Sequence, residues 1–176
     1  MNKENFSFLK KYIRDIPDFP KKGIIFKDIT TLLKDGKAFK DAMDIFYKRY
    51  KNKKIDKVAA IESRGFIFGG ALANSLGSGF VPVRKKGKLP AKALSITYQL
   101  EYGSDTLEMH CDAIEKGDNV LIIDDLLATG GTASAVSQII EKIGGKIVEV
   151  AFLIELEFLH GREKLKNHQI FSIIKY

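Results

Sequence analysis

Two adjacent aspartates, Asp124 and Asp125, stand directly before a glycine turn in the stretch VLIIDDLLATGGT, residues 120–132. Like charges side by side repel, so the pair has a cost unless a cation or hydroxyl groups bind it. The glycines let backbone approach a ligand closely, and the N-terminus of the next helix offers free N–H groups. Thr129 and Thr132 add hydroxyl donors. The segment therefore predicts a phosphate cradle beside carboxylates that suit ribose hydroxyls or Mg²⁺, which together indicate a sugar phosphate.

Other phosphate-binding motifs do not fit this stretch. The GxxxxGK[ST] pattern is absent, and GSGF at residues 77–80 precedes a strand where a dinucleotide fingerprint should follow one. An ordinary capped helix after a strand is the simpler alternative. It explains the glycines and threonines but not the paired acids.

Two groups of cations follow other predicted strands. Arg64 lies in ESRGF, and its forked guanidinium matches phosphate geometry, with a surface salt bridge as the alternative. The second group is RKKGK, residues 84–88, beside the loop residue Pro90. For a lysine-rich protein, a solvated basic turn is a strong alternative there.

Hydrophobic periodicity predicts strands and helices that alternate along most of the chain. The predicted helices cover residues 3–15, 36–51, 65–76 and 129–143, and Gly144 and Gly145 end the last of them. The predicted strands cover residues 24–26, 57–61, 80–84, 119–124, 146–154 and 169–174, with an alternating hairpin at about 92–111. This order predicts an α/β fold with a mainly parallel sheet and helices on both faces. Ligands of such sheets bind at the carboxyl ends of the strands.

Composition narrows the class of protein. The 176 residues are 45% hydrophobic, which suits one domain, and no stretch is apolar enough to span a bilayer. The N-terminal segment lacks a signal-peptide core and the chain has a single cysteine, Cys111, so we expect a cytoplasmic protein without a membrane partner. The net charge of +7 comes from lysines spread along the chain, and no nucleic-acid module is visible. The three histidines lack metal-ligand spacing.

Taken together, the motifs resemble a known family. VLIIDDLLATGGT resembles the 5-phosphoribosyl 1-pyrophosphate (PRPP) signature of type I phosphoribosyltransferases. PDFPKKGIIFKDIT, IESRGFIFGGALA, VRKKGKLP, LEYG and HGREKL resemble, in order and over nearly the whole chain, the members of that family that use adenine. The resemblance implies a type I phosphoribosyltransferase fold in one domain, residues 1–176. It also implies a small N-terminal hood of about residues 1–34 and a flexible flap of about residues 92–111.

The resemblance also implies a reaction: adenine and PRPP give AMP and pyrophosphate in purine salvage, with Mg²⁺, in a homodimer. Asp124 and Asp125 are then expected to hold the ribose 2′ and 3′ hydroxyls, to favour positive charge on the ribose ring, and to be candidate Mg²⁺ ligands. Arg64 is expected at the pyrophosphate, in a loop with a cis peptide at Glu62–Ser63. The expected contacts of the 5′-phosphate are the amides of Ala128, Thr129, Gly130, Gly131 and Thr132. Arg84, Lys85 and Lys88 are expected to bind pyrophosphate, partly across a dimer interface.

The base would lie against the hood. Phe26 is expected to stack on adenine, with core packing as the alternative, and the backbone of Ile25 and Lys27 is expected to read its edge. The family more often has arginine where this chain has Lys27, so a side-chain contact there would alter affinity. In the flap, Glu101 is expected to face N7 as general acid or base, and Tyr102 to cover the site.

Two alternatives stay open at this point. One is an enzyme of the same fold that uses hypoxanthine, guanine or xanthine, and GIIFKD together with LEYG favours adenine over it. The other is a non-enzymatic ligand sensor or RNA-binding regulator. Its basic charge fits, but a sensor has no need to retain Glu101, Arg64 and both acids.

Overall fold

The structure is a computed structural model that describes residues 6–99 and 104–176. Among these residues, the helices are α1 (Thr30–Leu33), α2 (Gly36–Tyr50), α3 (Gly65–Leu76) and α4 (Gly131–Lys142), with 3-10 helices at Ser7–Tyr12, Glu157–Leu159 and Gly161–Leu165. The strands are β1 (Arg14–Pro17), β2 (Ile25–Asp28), β3 (Lys57–Ile61), β4 (Gly79–Lys85), β5 (Ala93–Gln99), β6 (Ser104–His110), β7 (Asn119–Leu127), β8 (Lys146–Glu155) and β9 (Ile170–Lys175). None of the helices in these ranges is long and apolar enough to cross a membrane.

The described strands form two sheets. The larger has the order β5-β6-β4-β3-β7-β8-β9, in which β4, β3, β7, β8 and β9 are parallel and the β5–β6 hairpin is antiparallel. The smaller is the antiparallel pair β1–β2, which belongs to the hood. The predicted α/β fold with a mainly parallel sheet, hood and flap hairpin is confirmed.

Both faces of the larger sheet are buried, as a parallel sheet requires. On one face, Leu121 and Ile123 of β7 pack in a core that includes Phe46 of α2 and Phe68 of α3. On the other face, their neighbours along β7 join a core completed by α4, whose members include Val120, Ile122, Val136 and Ile140. Alternate residues of β7 thus pack in opposite cores, which explains why the strand is apolar at every position from Val120 to Ile123.

The N-terminal prediction was wrong. Instead of a helix over residues 3–15, a 3-10 helix at Ser7–Tyr12 is followed by β1, which pairs with β2 from Arg14↔Asp28 to Pro17↔Ile25. The residue before a proline avoids the helical region, and strand pairing with β2 satisfies the backbone that a longer helix would have used. The pairing of β1 with β2 therefore outweighed the helical spacing of the apolar residues.

Strand β7 is longer than predicted. It pairs with β8 as far as Leu127↔Glu155, so both Asp124, its predicted last residue, and Asp125 lie within the strand. Helix α4 begins at Gly131, two residues later than predicted, because Gly130 has a left-handed φ of 76° that no helix contains.

Candidate active site

The turn between β7 and α4 forms a concave phosphate-sized cradle. A cavity of about 70 Å³ opens there, and its lining includes Asp124, the residues from Leu126 to Ala133, and Phe152. The amides at the start of α4 have no partner within the helix, so they are free to bind an anion, and the helix dipole favours negative charge there. Five residues predicted for the phosphate, Ala128 to Thr132, are thus brought together around one space.

A second segment supports this turn from behind. A Cβ atom on Gly130 would lie 2.2 Å from the carbonyl oxygen of Gly161, and one on Gly161 would lie 2.2 Å from that of Ala128. Only two glycines allow this approach, because any side chain would push the backbones apart. The segment HGREKL, to which the sequence analysis gave no role in the site, therefore packs directly against the cradle.

The two aspartates have different partners. Asp124 lines the cradle cavity, and its Oδ1 accepts the N–H of Asp125 at 2.8 Å. Asp125 is only 5% exposed, and its Oδ2 lies 2.7 Å from Nη2 of Arg64 in an ion pair. Burial raises the pKa of Asp124 well above its usual range, and the charge of Asp125 adds to the rise. Burial also raises the pKa of Asp125, while the charge of Arg64 opposes the rise.

Arg64 connects the aspartates to the hood. Its guanidinium carbon lies 4.9 Å from the ring centroid of Phe26, so the same cation contacts Asp125 and the aromatic ring predicted to stack on the base. Phe19 packs edge-on against Phe26 with centroids 5.2 Å apart, and Ile25 is 55% exposed. The predicted base contacts and the predicted ribose contacts are therefore neighbours. The predicted cis peptide at Glu62–Ser63, just before Arg64, is confirmed.

The RKKGK loop meets the ESRG loop through one carboxylate. Glu62 accepts Nε of Arg84 at 3.2 Å and the N–H of Lys85 at 3.1 Å, and it forms an ion pair with Lys88. Burial acts to raise the pKa of Glu62, but the hydrogen bonds from Lys88, the Lys85 amide and Arg84 outweigh it and lower that pKa. Two of the predicted cations, Arg84 and Lys88, are thus paired with Glu62, a residue to which the sequence analysis gave no role.

The flap hairpin contacts both the RKKGK loop and the phosphate cradle. Glu108 of β6 accepts the N–H of Gly87 at 2.8 Å, and Lys85 pairs with Asp105 at 3.2 Å. On the other side, Tyr98 of β5 accepts a 3.4 Å hydrogen bond from the hydroxyl of Thr132 in the cradle. The predicted residues Glu101 and Tyr102 lie outside the described residues. No sequence signal marked Glu108 or Tyr98, because their partners are distant along the chain.

Lys27 does not share the direction of Phe26. Its ammonium lies 2.7 Å from Asp15 and 3.9 Å from the ring centroid of Tyr176, and its side chain is 10% exposed. Side chains alternate across a strand, which places Phe26 and Lys27 on opposite faces of β2. The side chain of Lys27 therefore contacts Asp15 and Tyr176 and lies on the face of β2 opposite Phe26.

The fold agrees with comparison to known proteins. The family described as phosphoribosyl transferase domain matches residues 28–175. The chain belongs to the adenine phosphoribosyltransferase family. The adenine phosphoribosyltransferase of Geotalea daltonii is 60% identical over 168 residues, which are 96% of this chain and 98% of that protein. That of Desulfitobacterium hafniense is 57% identical over 166 residues, 94% of this chain and 96% of that protein.

Solved structures from the same family superpose closely. Adenine phosphoribosyltransferase from Thermoanaerobacter pseudethanolicus has a TM-score of 0.94 and 54% identity, and the match covers 97% of this chain and 99% of that chain. The enzyme from Saccharomyces cerevisiae, complexed with D-2,5-dideoxy-2,5-imino-altritol 1,6-bisphosphate and adenine, has a TM-score of 0.90 and 42% identity, with 96% and 98% covered. The phosphoribosyltransferase fold of this chain is therefore established on both sequence and structure.

Proposed function

We propose that this protein transfers the phosphoribosyl group of PRPP to adenine, which yields AMP and pyrophosphate. The observation that carries this conclusion is 60% identity to an adenine phosphoribosyltransferase over 96% of this chain and 98% of the relative. The activity makes the protein a pentosyltransferase of purine salvage and AMP synthesis. The other open readings, a 6-oxo purine enzyme or a sensor, have no comparable support.

The donor is bound by the cradle and the acids in this proposal. The amides of Ala128 to Thr132 hold the 5′-phosphate, and Asp124 and Asp125 hold the ribose hydroxyls. Two buried acids in contact are held at a cost in the free protein, as the raised pKa of Asp124 indicates. Positive charge that develops on the ribose ring relieves that cost, so the pair favours the transition state over the ground state.

The base is bound by the hood. Phe26 stacks on adenine, and the backbone of Ile25 and Lys27 reads the 6-amino edge and rejects 6-oxo purines. The contact of Arg64 with both Phe26 and Asp125 supports this placement, because it sets the base position beside the ribose position. Glu101 as general acid or base and Tyr102 as a cover rest on the family resemblance alone.

The leaving pyrophosphate is bound by cations. Arg64, Arg84, Lys85 and Lys88 are assigned to it, and the pairing of both Arg84 and Lys88 with Glu62 supports a shared role for these two. Mg²⁺ bound to PRPP would supply further positive charge to the pyrophosphate. The described part of the chain contains no cluster of three or more His, Cys, Asp or Glu side chains that could hold a metal ion. Asp124, which lines the cradle cavity, and its neighbour Asp125 would fit only as additional oxygen ligands.

The protein is further proposed to be a cytoplasmic homodimer. Support for the dimer comes from Ile67 of α3 and Phe80 of β4, two large apolar side chains that are each 40% exposed. Phe80 packs edge-on against Phe66 of α3, so the two elements present one apolar surface. Sedimentation of the purified protein tests this, and a concentration-independent monomer would contradict it.

The activity is tested by AMP formation from adenine and PRPP, with and without Mg²⁺, and with hypoxanthine and guanine in parallel. We expect AMP from adenine only, in a Mg²⁺-dependent reaction. Equal turnover of hypoxanthine would overturn the base assignment and leave the fold. Tight PRPP binding without turnover of any base, together with retention of RNA on a filter, would favour the regulator.

A further inference from the structure

The side chain of Lys27 contacts a different part of the molecule from the one that its neighbour Phe26 contacts. Phe26 contacts Arg64 in the candidate site, whereas the ammonium of Lys27 lies 3.9 Å from the ring centroid of Tyr176, which follows β9. The ammonium also pairs with Asp15 at 2.7 Å, but the side chain of Asp15 is 52% exposed. Exposed ion pairs contribute little to stability, and Asp15 belongs to β1 of the hood itself, so the contact with the partly buried ring is the one that joins Lys27 to the larger sheet.

Tyr176 itself is held firmly at the edge of the larger sheet. Its N–H donates to the carbonyl of Glu155 at 3.0 Å, and its carbonyl accepts the N–H of Glu157 at 2.9 Å. Glu155 ends β8, whose residue Phe152 lines the cradle cavity, so the ring stands at the carboxyl edge of the sheet that bears the site. The ring is thus a fixed point of the sheet that the hood can contact.

A second lysine of the hood uses the same ring. Lys10, in the 3-10 helix Ser7–Tyr12, lies 4.8 Å from the ring centroid of Tyr176. Other polar contacts of this region, such as Arg14 with Asp28 and Thr31 with the carbonyl of Tyr12, join the hood to itself. The contacts at Tyr176 join it to the sheet instead.

We propose that Tyr176 is a positioning residue for adenine, because its ring fixes Lys27 and thereby sets the distance of strand β2 from the ribose-binding edge. This inference rests on the proposed function. The inference extends the proposed function by assigning adenine recognition partly to a residue that has no expected contact with adenine. It also assigns the side chain of Lys27 to hood placement and not to binding of the base or the pyrophosphate.

The experiment compares two conservative and two disruptive variants in steady-state kinetics. Tyr176→Phe keeps the ring and Lys27→Arg keeps the cation, whereas Tyr176→Leu and Lys27→Met each remove one partner. Cation–π contacts of this kind predict that each disruptive variant raises the KM for adenine about 5- to 30-fold. The KM for PRPP is expected to stay within about twofold of wild type, and both conservative variants are expected to keep the KM for adenine.

The double variant Lys27→Met/Tyr176→Leu tests whether the two residues act as a unit. If the contact carries the effect, the double variant is no worse than either disruptive variant alone, because partners in one interaction are not additive. A merely structural role would instead lower the melting temperature and the active fraction, which reduces kcat and leaves the KM for adenine unchanged.

Three outcomes would overturn the inference. They are equal effects of Tyr176→Phe and Tyr176→Leu, additive effects in the double variant, or a change at Lys27 that raises the KM for PRPP and not that for adenine. A wild-type protein that makes no AMP would contradict the proposed function itself. An active wild type with unchanged disruptive variants would contradict only the role of Tyr176.

Discussion

Gly161 offers a test of whether the 3-10 helix behind the cradle sets its shape. In Gly161→Ala, the new Cβ would lie 2.2 Å from the carbonyl oxygen of Ala128 and 2.9 Å from Cδ1 of Leu127. Ordinary van der Waals contact begins near 3.4 Å, so the turn must move by about 1 Å. A displacement of that size in a substrate-binding element can cost about 100-fold in rate. We therefore expect kcat/KM for PRPP to fall by about 100-fold, which corresponds to about 2.7 kcal/mol.

The assay measures kcat/KM for PRPP at saturating adenine, with the melting temperature and PRPP binding followed in parallel. Gly36→Ala is the matched control, because Gly36 begins α2 and a Cβ there meets nothing within 4 Å. The control is expected to keep wild-type kinetics and to be neutral or slightly more stable, since alanine favours a helix. Wild-type kinetics for Gly161→Ala would refute the reasoning that this glycine supports the phosphate turn.

Two further predictions concern ion pairs away from the cradle. The pKa of Asp28 is lowered from 3.8 to about 2, first by the N–H of Thr30 and then by Arg14. A lowered pKa stabilises the fold above pH 3.8 and loses that effect as the pH falls through about 2, so the melting-temperature gap between wild type and Asp28→Asn should close over this window. The side chain of Glu149 is 1% exposed and forms an ion pair with Arg49. Glu149→Gln should therefore lower the free energy of unfolding, measured by urea denaturation, by about 2 kcal/mol. The kinetic constants should stay unchanged. No loss of stability in Glu149→Gln, or a gap at Asp28 that is as large at pH 2 as at neutral pH, would contradict these assignments.

The central strands were predictable because burial on both faces leaves a simple signal. Residues 58–61 form an uninterrupted apolar run, and the strand predicted over residues 57–61 becomes β3 with the same bounds. The hood was not predictable in this way. Its residues carry helical spacing, but β1 exists because it pairs with β2, and periodicity within one segment contains no information about such a partner. The local hydrophobic pattern therefore predicts a strand correctly where both of its faces are buried. It fails where pairing with a distant strand determines the secondary structure.

The same distinction applies to the candidate site, where local residue types were informative and contacts between distant residues were not predictable. Residue types in DDLLATGGT, ESRG and RKKGK predicted which segments carry chemistry, because each needs a particular charge or glycine at a strand end. Their pairing was not predictable, since Glu62 meets Lys88 26 positions away and Gly130 meets Gly161 only through the fold. The contact of Lys27 with Tyr176 was likewise not predictable, because Tyr176 lies at the other end of the sequence and carried no signal of its own.

The adjacency of Asp124 and Asp125 now has a physical reason in the geometry. Asp124 lines the cradle cavity, while Asp125 pairs with Arg64, and Arg64 in turn lies over Phe26 of the hood. Consecutive positions on one strand therefore connect the proposed phosphate site to the proposed base site across the space that a ribose would occupy. Separating the acids by even one residue would turn the second side chain to the other face of β7 and break this connection. The repulsion between them is thus a consequence of bringing both sites to one point of one strand.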